Sequence, residues 1–336
     1  MNQRSITLAW QIVTPIMLLH FASESFADVL PDHDNGVLTG FFGFPESTEG
    51  SEILLRGQRA WDTSLILASH NVDDIRGGED LRLDGETTRF AFTYRYGLSD
   101  RLDIGVEVPY LWHQAGNLDS FVDRWHDVFG SLGGGARANR EDDQLELFYA
   151  DSQATLVDVS DDADGIGDIR LHAGWRLSES ERRKSALRFS IKFPTGDSDD
   201  LLGSGGTDIS LGYASDVVGL LGNAKLNGFY RVNLTYLGEP DRLADRHNNL
   251  VGQFSFGLGY HLHRIVDVRL QSRIRSAVYD SEIESLGGTS VSLTFGADFR
   301  VSDRYRLVFS VGEDVKVGSA PDVAFQIALR YVPASL

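Results

Sequence analysis

Thr88–Tyr96 reads TRFAFTYRY. In an extended chain Phe90, Phe92, Tyr94 and Tyr96 fall on one side, and Arg89, Ala91, Thr93 and Arg95 on the other. A period of two with an apolar and a polar face is the signature of a strand between two different environments. The pattern returns in Leu102–Tyr110, Ile169–Leu177, Leu187–Phe193, Ile209–Tyr213, Leu226–Tyr236, Phe254–Leu262, Val266–Ile274, Val291–Val301, Tyr305–Val317 and Val323–Tyr331. A less regular strand runs through about Leu54–Ser69.

Alternating strands are buried either with the apolar face inward, as in a soluble sandwich, or with it outward to lipid, as in a membrane barrel. Full charges occupy strand centres here. In Val266–Arg275 one side carries Asp267, Arg269, Gln271, Arg273 and Arg275. A closed barrel turns such a face into a wet lumen while every backbone group stays paired. Strand ends carry Tyr94, Tyr110, Trp112, Trp175, Tyr236, Tyr305 and Tyr331, a distribution that suits two aromatic girdles. The chain is therefore expected to be all-β, a transmembrane antiparallel β-barrel.

Short connectors at 97–100, 178–184, 217–222, 261–264 and 302–303 alternate with long polar ones at 71–85, 113–165, 195–206, 238–248 and 280–287. Short turns are periplasmic in outer-membrane barrels. With Gln144–Val159 assigned to the long outer loop, about 12 strands remain. Fourteen is the alternative, if Gly36–Pro45 and Gln144–Val159 both span. The even count places both termini in the periplasm of a Gram-negative bacterium.

The 336 residues carry 31 basic and 49 acidic side chains, a formal charge of −18, and no cysteine. Disulfides and thiol chemistry are excluded. Nucleic acid is an unsuitable partner for so acidic a chain. Met1–Arg4 is basic, Ile6–Ala22 is mostly apolar, and Ser25-Phe26-Ala27 supplies small residues for cleavage. The expected order is a signal peptide at 1–27, an N-terminal periplasmic segment at 28–52, and the barrel at 53–332 with a long outer loop at 113–165. Expected partners are outer-membrane lipid, lipopolysaccharide, the barrel assembly machinery and small solutes.

Several motifs resemble the domain-of-unknown-function-3187 family: GLSDRLDIGVEVPY (97–110), GNLDSFVDRWHDVFG (116–130), GIGDIRL (165–171), KFPTGD (192–197) and YDSEIESLG (279–287). The turn-plus-strand and PTGD elements also resemble porin-like proteins of phenol-degradation pathways. Both resemblances imply an outer-membrane barrel, and neither brings a catalytic residue or a cofactor. The chain departs from a common barrel ending, in that Tyr331 is followed by five more residues.

The polar faces are rich in arginine and lysine. Arg89, Arg188, Lys192, Arg231, Arg269, Arg273, Arg275 and Arg306 are candidates for a lumen constriction, where cationic rings favour anions. Stacked Arg–Asp pairs filling a narrow interior are the competing reading. Asn117–Gly130 is the one helix signal. Phe121, Trp125 and Phe129 lie at helical spacing, Asp119 and Asp123 line the other side, and His126 stands a turn from Asp123. In the longest loop such a helix would serve as a plug, a gate or an interface element. No metal site is expected from Asp123 and His126 alone. No serine-histidine arrangement, G-x-S-x-G elbow or phosphate loop is evident, so no enzyme is expected. The expectation is a narrow channel or passive transporter for small, perhaps anionic, solutes. The alternatives are a structural or surface-interaction protein with an occluded lumen and, third, a lipid-modifying hydrolase.

Overall fold

The computed structural model describes residues 30, 33–45, 50–116, 144–315 and 323–333. The signal segment at 1–27 and the loop helix at 117–130, with Asp119, Phe121, Asp123, Trp125, His126 and Phe129, lie outside the described residues.

Fifteen strands follow in chain order: β1 (Arg59–Arg76), β2 (Glu79–Gly97), β3 (Leu102–Gln114), β4 (Glu146–Ala150), β5 (Thr155–Val159), β6 (Ala163–Ile166), β7 (Arg170–Glu179), β8 (Arg183–Lys192), β9 (Asp208–Val218), β10 (Leu226–Tyr236), β11 (Leu250–His263), β12 (Val266–Arg275), β13 (Ser290–Arg300), β14 (Tyr305–Asp314) and β15 (Val323–Tyr331). Twelve of them close a ring, β1–β2–β3 and β7 through β15, because β1 pairs with both β2 and β15. Leu65 is the register partner of Phe90 on one side and of Ile327 on the other. Every pairing is antiparallel, so no edge is left open in the ring. The expected count of 12 is the observed one.

The remaining strands extend the wall on the long-loop side. β4 pairs with the upper part of β2, β5 with β4, and β6 with the upper part of β3. Gln144–Val159 thus belongs to the long-loop region and does not span. Gly36–Pro45 is not a strand but a turn and irregular chain.

The stretch 71–85 departs from expectation. It is not a polar loop: β1 and β2 stay paired from Asn71↔Asp84 up to Arg76↔Glu79, and Gly77 and Gly78, both at positive φ, make the turn. Two residues with φ > 0 suit the right-handed twist of a tight hairpin. The density of Asp and Glu conceals the alternation of Leu81 and Leu83, both of which are buried.

The two faces of the wall are inverted relative to a soluble protein. Leu211 and Phe295 are each 58% exposed on the outside, while Arg188 and Lys192 are buried inside. That inversion needs hydrocarbon around the barrel. At the short-turn rim the Trp61 ring stacks on Tyr331 with centroids 5.9 Å apart, and Tyr305 lies 5.5 Å from Tyr331. At the long-loop side Tyr110 and Trp112 are 4.5 Å apart. These clusters form the two girdles.

The main dry core lies at the long-loop end. Loop residues Leu201, Val278, Tyr279 and Ile283 meet Leu81, Leu147 and Tyr149 there, and Val37, Leu38, Phe41, Phe42 and Phe44 fill it from below. Beside this cap Arg246 bridges Glu79 and Asp151, at 2.9 Å from the latter. Burial and the nearby Glu79 carboxylate push the Tyr149 hydroxyl up to about 12. Burial likewise raises Tyr279, whose hydroxyl donates to the Leu38 carbonyl at 2.6 Å.

Candidate functional site: the lumen and its internal segment

The described residues of the segment expected to be periplasmic, 28–52, lie against the inner wall of the barrel. Leu30 packs on Val308 and Ala328 in the middle of the wall, and its carbonyl accepts from Gln271 Nε2 at 3.4 Å. Asp34 Oδ2 lies 2.6 Å from Arg275 Nε, near the long-loop end. Its other oxygen accepts from Thr39 Oγ1 at 2.7 Å and Gly36 N–H at 3.2 Å, which turns the chain over. Phe41, Phe42 and Phe44 then enter the cap.

From there the chain descends along β9, β8, β7 and β3. Gly43 N–H donates to Asp208 Oδ2 at 2.8 Å. A Cβ at position 43 would stand 2.9 Å from the Cβ atoms of both Asp208 and Lys192, so only glycine allows this approach. The Phe44 carbonyl accepts from Arg170. Lower down, Arg188 donates to the Gly50 carbonyl at 2.8 Å and the Glu52 carbonyl at 2.6 Å. Ser51 N–H donates to Asp216 at 3.0 Å, and Leu54 N–H to Asp103 at 3.1 Å. The chain leaves at the short-turn end, where β1 begins. The physical reason for its inward course is composition: GVLTGFFGF (36–44) is too apolar for water, and its backbone finds partners on the charged wall.

The wall charges form short chains. Glu107 receives Arg89 at 2.6 Å and Arg170 at 2.9 Å. Lys192 Nζ sits between Asp168 at 2.7 Å and Asp208 at 3.0 Å. Asp103 takes Arg188 at 3.0 Å and also Arg95. Charges this deep require partners, since isolated ions are far costlier than paired ones. Asp168 also explains two motifs. Its carboxylate accepts from the N–H groups of Thr195 at 3.0 Å, Gly196 at 2.9 Å and Ser204 at 2.9 Å. GIGDIRL supplies the carboxylate and KFPTGD the loop it holds, which carries buried Leu201 and Leu202 inward.

All eight basic candidates face the lumen and are 2–7% exposed: Arg89, Arg188, Lys192, Arg231, Arg269, Arg273, Arg275 and Arg306. They do not form one ring. Arg275, with Arg273 adding its charge on the same carboxylate, holds Asp34 at the long-loop end. Arg188 and Arg231 lie beside Gly50, and Arg269 and Arg306 share Asp298 lower down, at 3.6 and 3.8 Å. Two cavities of about 20 Å³ each separate Phe41 from the wall at Arg89 and Leu111, room for about one water molecule apiece.

Sequence reasoning missed Asp34, Gly43, Ser51 and Asp216. The first three lie in a segment without periodicity. Asp216 follows Tyr213, where Ala214-Ser215-Asp216 breaks the alternation although β9 continues to Val218. The unusual apolarity of 36–44, within a segment expected to be periplasmic, was the available signal.

A search of curated proteins by sequence finds no match. Among solved structures the barrel is similar to the COG4313 outer membrane channel from Pseudomonas putida F1, at 17% identity and TM-score 0.53, over 84% of this chain and 97% of that one. It also aligns with the NanC porin, at 8% identity and TM-score 0.45, over 83% of this chain and 100% of that one. The first likeness establishes the outer-membrane barrel fold. Residues 35–332 match the model of the family described as Protein of unknown function (DUF3187), and the chain belongs to that family.

Proposed function

We propose that the protein is a gated channel for small solutes in the outer membrane, closed in this structure by its own N-terminal segment, with the short turns and both termini in the periplasm. The observation that carries this reading is how the segment is held. Residues 33–45 and 50–54 make no β-pairing with the wall; side chains of the wall hold them through ion pairs and hydrogen bonds. The segment is therefore separable from the barrel without opening the sheet. A 12-stranded barrel is wider than an eight-stranded one, whose interior side chains alone just fill. Removal of the segment would leave a water-filled lumen lined by the paired charges of the wall.

The apolar cap favours a second reading, a permanently occluded structural barrel. Conductance in planar bilayers separates the two. A variant lacking residues 33–45 is expected to give steps several times larger than the full chain. Equal conductance in a correctly inserted deletion would establish the occluded barrel instead.

A further inference from the structure

Arg183, the first residue of β8, shares the outward parity of Leu187 and Phe189, which are 39% and 41% exposed. Its guanidinium reaches across two neighbouring strands. Nε donates to Ser215 Oγ on β9 at 3.1 Å, and Nη2 to the hydroxyls of Tyr213 on β9 at 3.2 Å and Tyr230 on β10 at 2.8 Å. Both tyrosines belong to the outward set, with Leu211 and Val232, and their rings lie 5.9 Å apart. Ser215 is fixed as an acceptor for Arg183, because its own proton goes to the Lys184 carbonyl at 3.2 Å.

These partners orient the charge without neutralising it. Arg183 makes no ion pair among the described residues, and its Nη1 makes no hydrogen bond there. The positions flanking it supply no acid: its register partner on β9 is Val217, and on the other side its N–H donates to Ser180 Oγ at 3.1 Å. Glu179 is taken by Arg176 and Lys184, Asp216 faces the lumen and accepts from Ser51, and Glu181 lies exposed in the turn without an ion pair. The rim around it has the same sign. Arg101, Arg182, Lys225, Arg264 and Arg304 are exposed, one in each short turn, and none makes an ion pair among the described residues. The exposed acids there, Asp100, Glu181 and Asp303, are fewer. Such a rim draws anions to this edge of the barrel. An arginine that merely snorkels needs only water for its head; three side-chain oxygens holding the guanidinium on the outer wall give it a set direction.

We propose that Arg183, oriented by Tyr213, Tyr230 and Ser215, docks the phosphate of an anionic phospholipid on the outer wall at the short-turn interface. At headgroup level the counter-charge on offer is a lipid phosphate, and the unused Nη1 edge of the guanidinium is a charge-assisted donor for one of its oxygens. The tyrosines sit where amphipathic rings meet the headgroups. Outward Leu187, Leu211 and Val232 continue from them toward the bilayer centre and suit the acyl chains. The site is independent of conduction. Only its leaflet rests on the orientation with short turns toward the periplasm, where phospholipid and not lipopolysaccharide faces the wall.

The test is native mass spectrometry of the full chain in maltoside micelles, titrated at constant ionic strength with phosphatidylglycerol, with diacylglycerol of the same chains, and with phosphatidylglycerol beside inorganic phosphate. Saturable binding of phosphatidylglycerol is expected, about tenfold tighter than that of diacylglycerol and unmoved by free phosphate. Arg183→Gln should weaken it about tenfold and Arg183→Lys by less. Tyr230→Phe, which keeps the ring and removes the hydroxyl, should weaken it severalfold. Arg182→Gln, the same loss of charge one residue away in the exposed turn, should bind as the wild type does. Folding of each variant is checked by its heat-dependent migration, and the headgroup comparison in the wild type stands even if Arg183→Gln does not fold. Equal losses in the two arginine variants, equal binding of diacylglycerol, or displacement by free phosphate overturns the proposal. Tighter binding of lipopolysaccharide, lost in Arg183→Gln, would overturn it together with the orientation. A 33–45 deletion that binds phosphatidylglycerol but does not conduct would overturn the channel and leave the site.

Discussion

Replacing Phe42 by alanine asks whether the segment leaves the cap when the barrel opens. Phe42 is 2% exposed and is surrounded by rings: Phe41 at 5.2 Å, Phe44 at 6.0 Å and Tyr279 at 6.0 Å between centroids. Lys192 Nζ lies 5.9 Å from its ring centre. Truncating a buried phenylalanine costs about 3–5 kcal/mol, the transfer contribution together with that of the cavity left behind. That cost falls on the closed state alone if opening carries residue 42 into water. At 1.4 kcal/mol per decade the open-to-closed ratio should then rise roughly 10²–10⁴-fold. The wall ladder is untouched, so the barrel stays folded and keeps its heat-dependent migration. Single-channel recording in planar bilayers reads the effect as shorter closed intervals and a higher open probability. Leu211→Ala, on the lipid face, is the control and should leave gating unchanged. An open probability within about twofold of wild type in a folded Phe42→Ala barrel would refute displacement of the segment, because a residue so enclosed cannot leave its pocket without this energetic consequence.

Two further outcomes are expected. In the 33–45 deletion, neutralising Arg269, Arg273 and Arg275 together should move the reversal potential toward cations, since these side chains bring positive charge to the wall of β12; an unchanged potential would exclude them from the selective path. Acid should loosen the outer extension. The Arg246 guanidinium, with the N–H groups of Gln153 and Ala154, holds Asp151 down to about 2. Because the folded value lies below the ordinary one near 3.9, the contribution is complete above about pH 4 and fades as pH falls toward 2. A spin label at Ser152→Cys, a unique thiol in this chain, should stay immobile from pH 7 to about 4.5 and gain mobility below about 3.5; Asp151→Asn should remove the transition, and loosening already at pH 6 would contradict the assignment.

The barrel was legible because its signals are local. TRFAFTYRY needs only the two-residue period to separate Phe90 and Phe92 from Arg89, and the alternation of short and long connectors sets an even strand count. The same parity assigns the eight basic candidates to the polar face of their strands, and all eight side chains are buried. The extended hairpin at 71–85 was hidden by Asp73, Asp74, Glu79, Asp80 and Asp84, which give it the composition of a polar loop.

What the sequence determined by itself is thus the period, the inverted faces and the closure, since each follows from neighbours along one strand. What only the tertiary structure decided is that the lumen is filled and by what. Gly43 meets Asp208 and Ser51 meets Asp216 across 165 residues of chain, and neither member of those pairs announces its partner by spacing or type. A backbone segment without regular structure satisfies its polar groups wherever the folded wall offers them, and that location exists only once the barrel has closed.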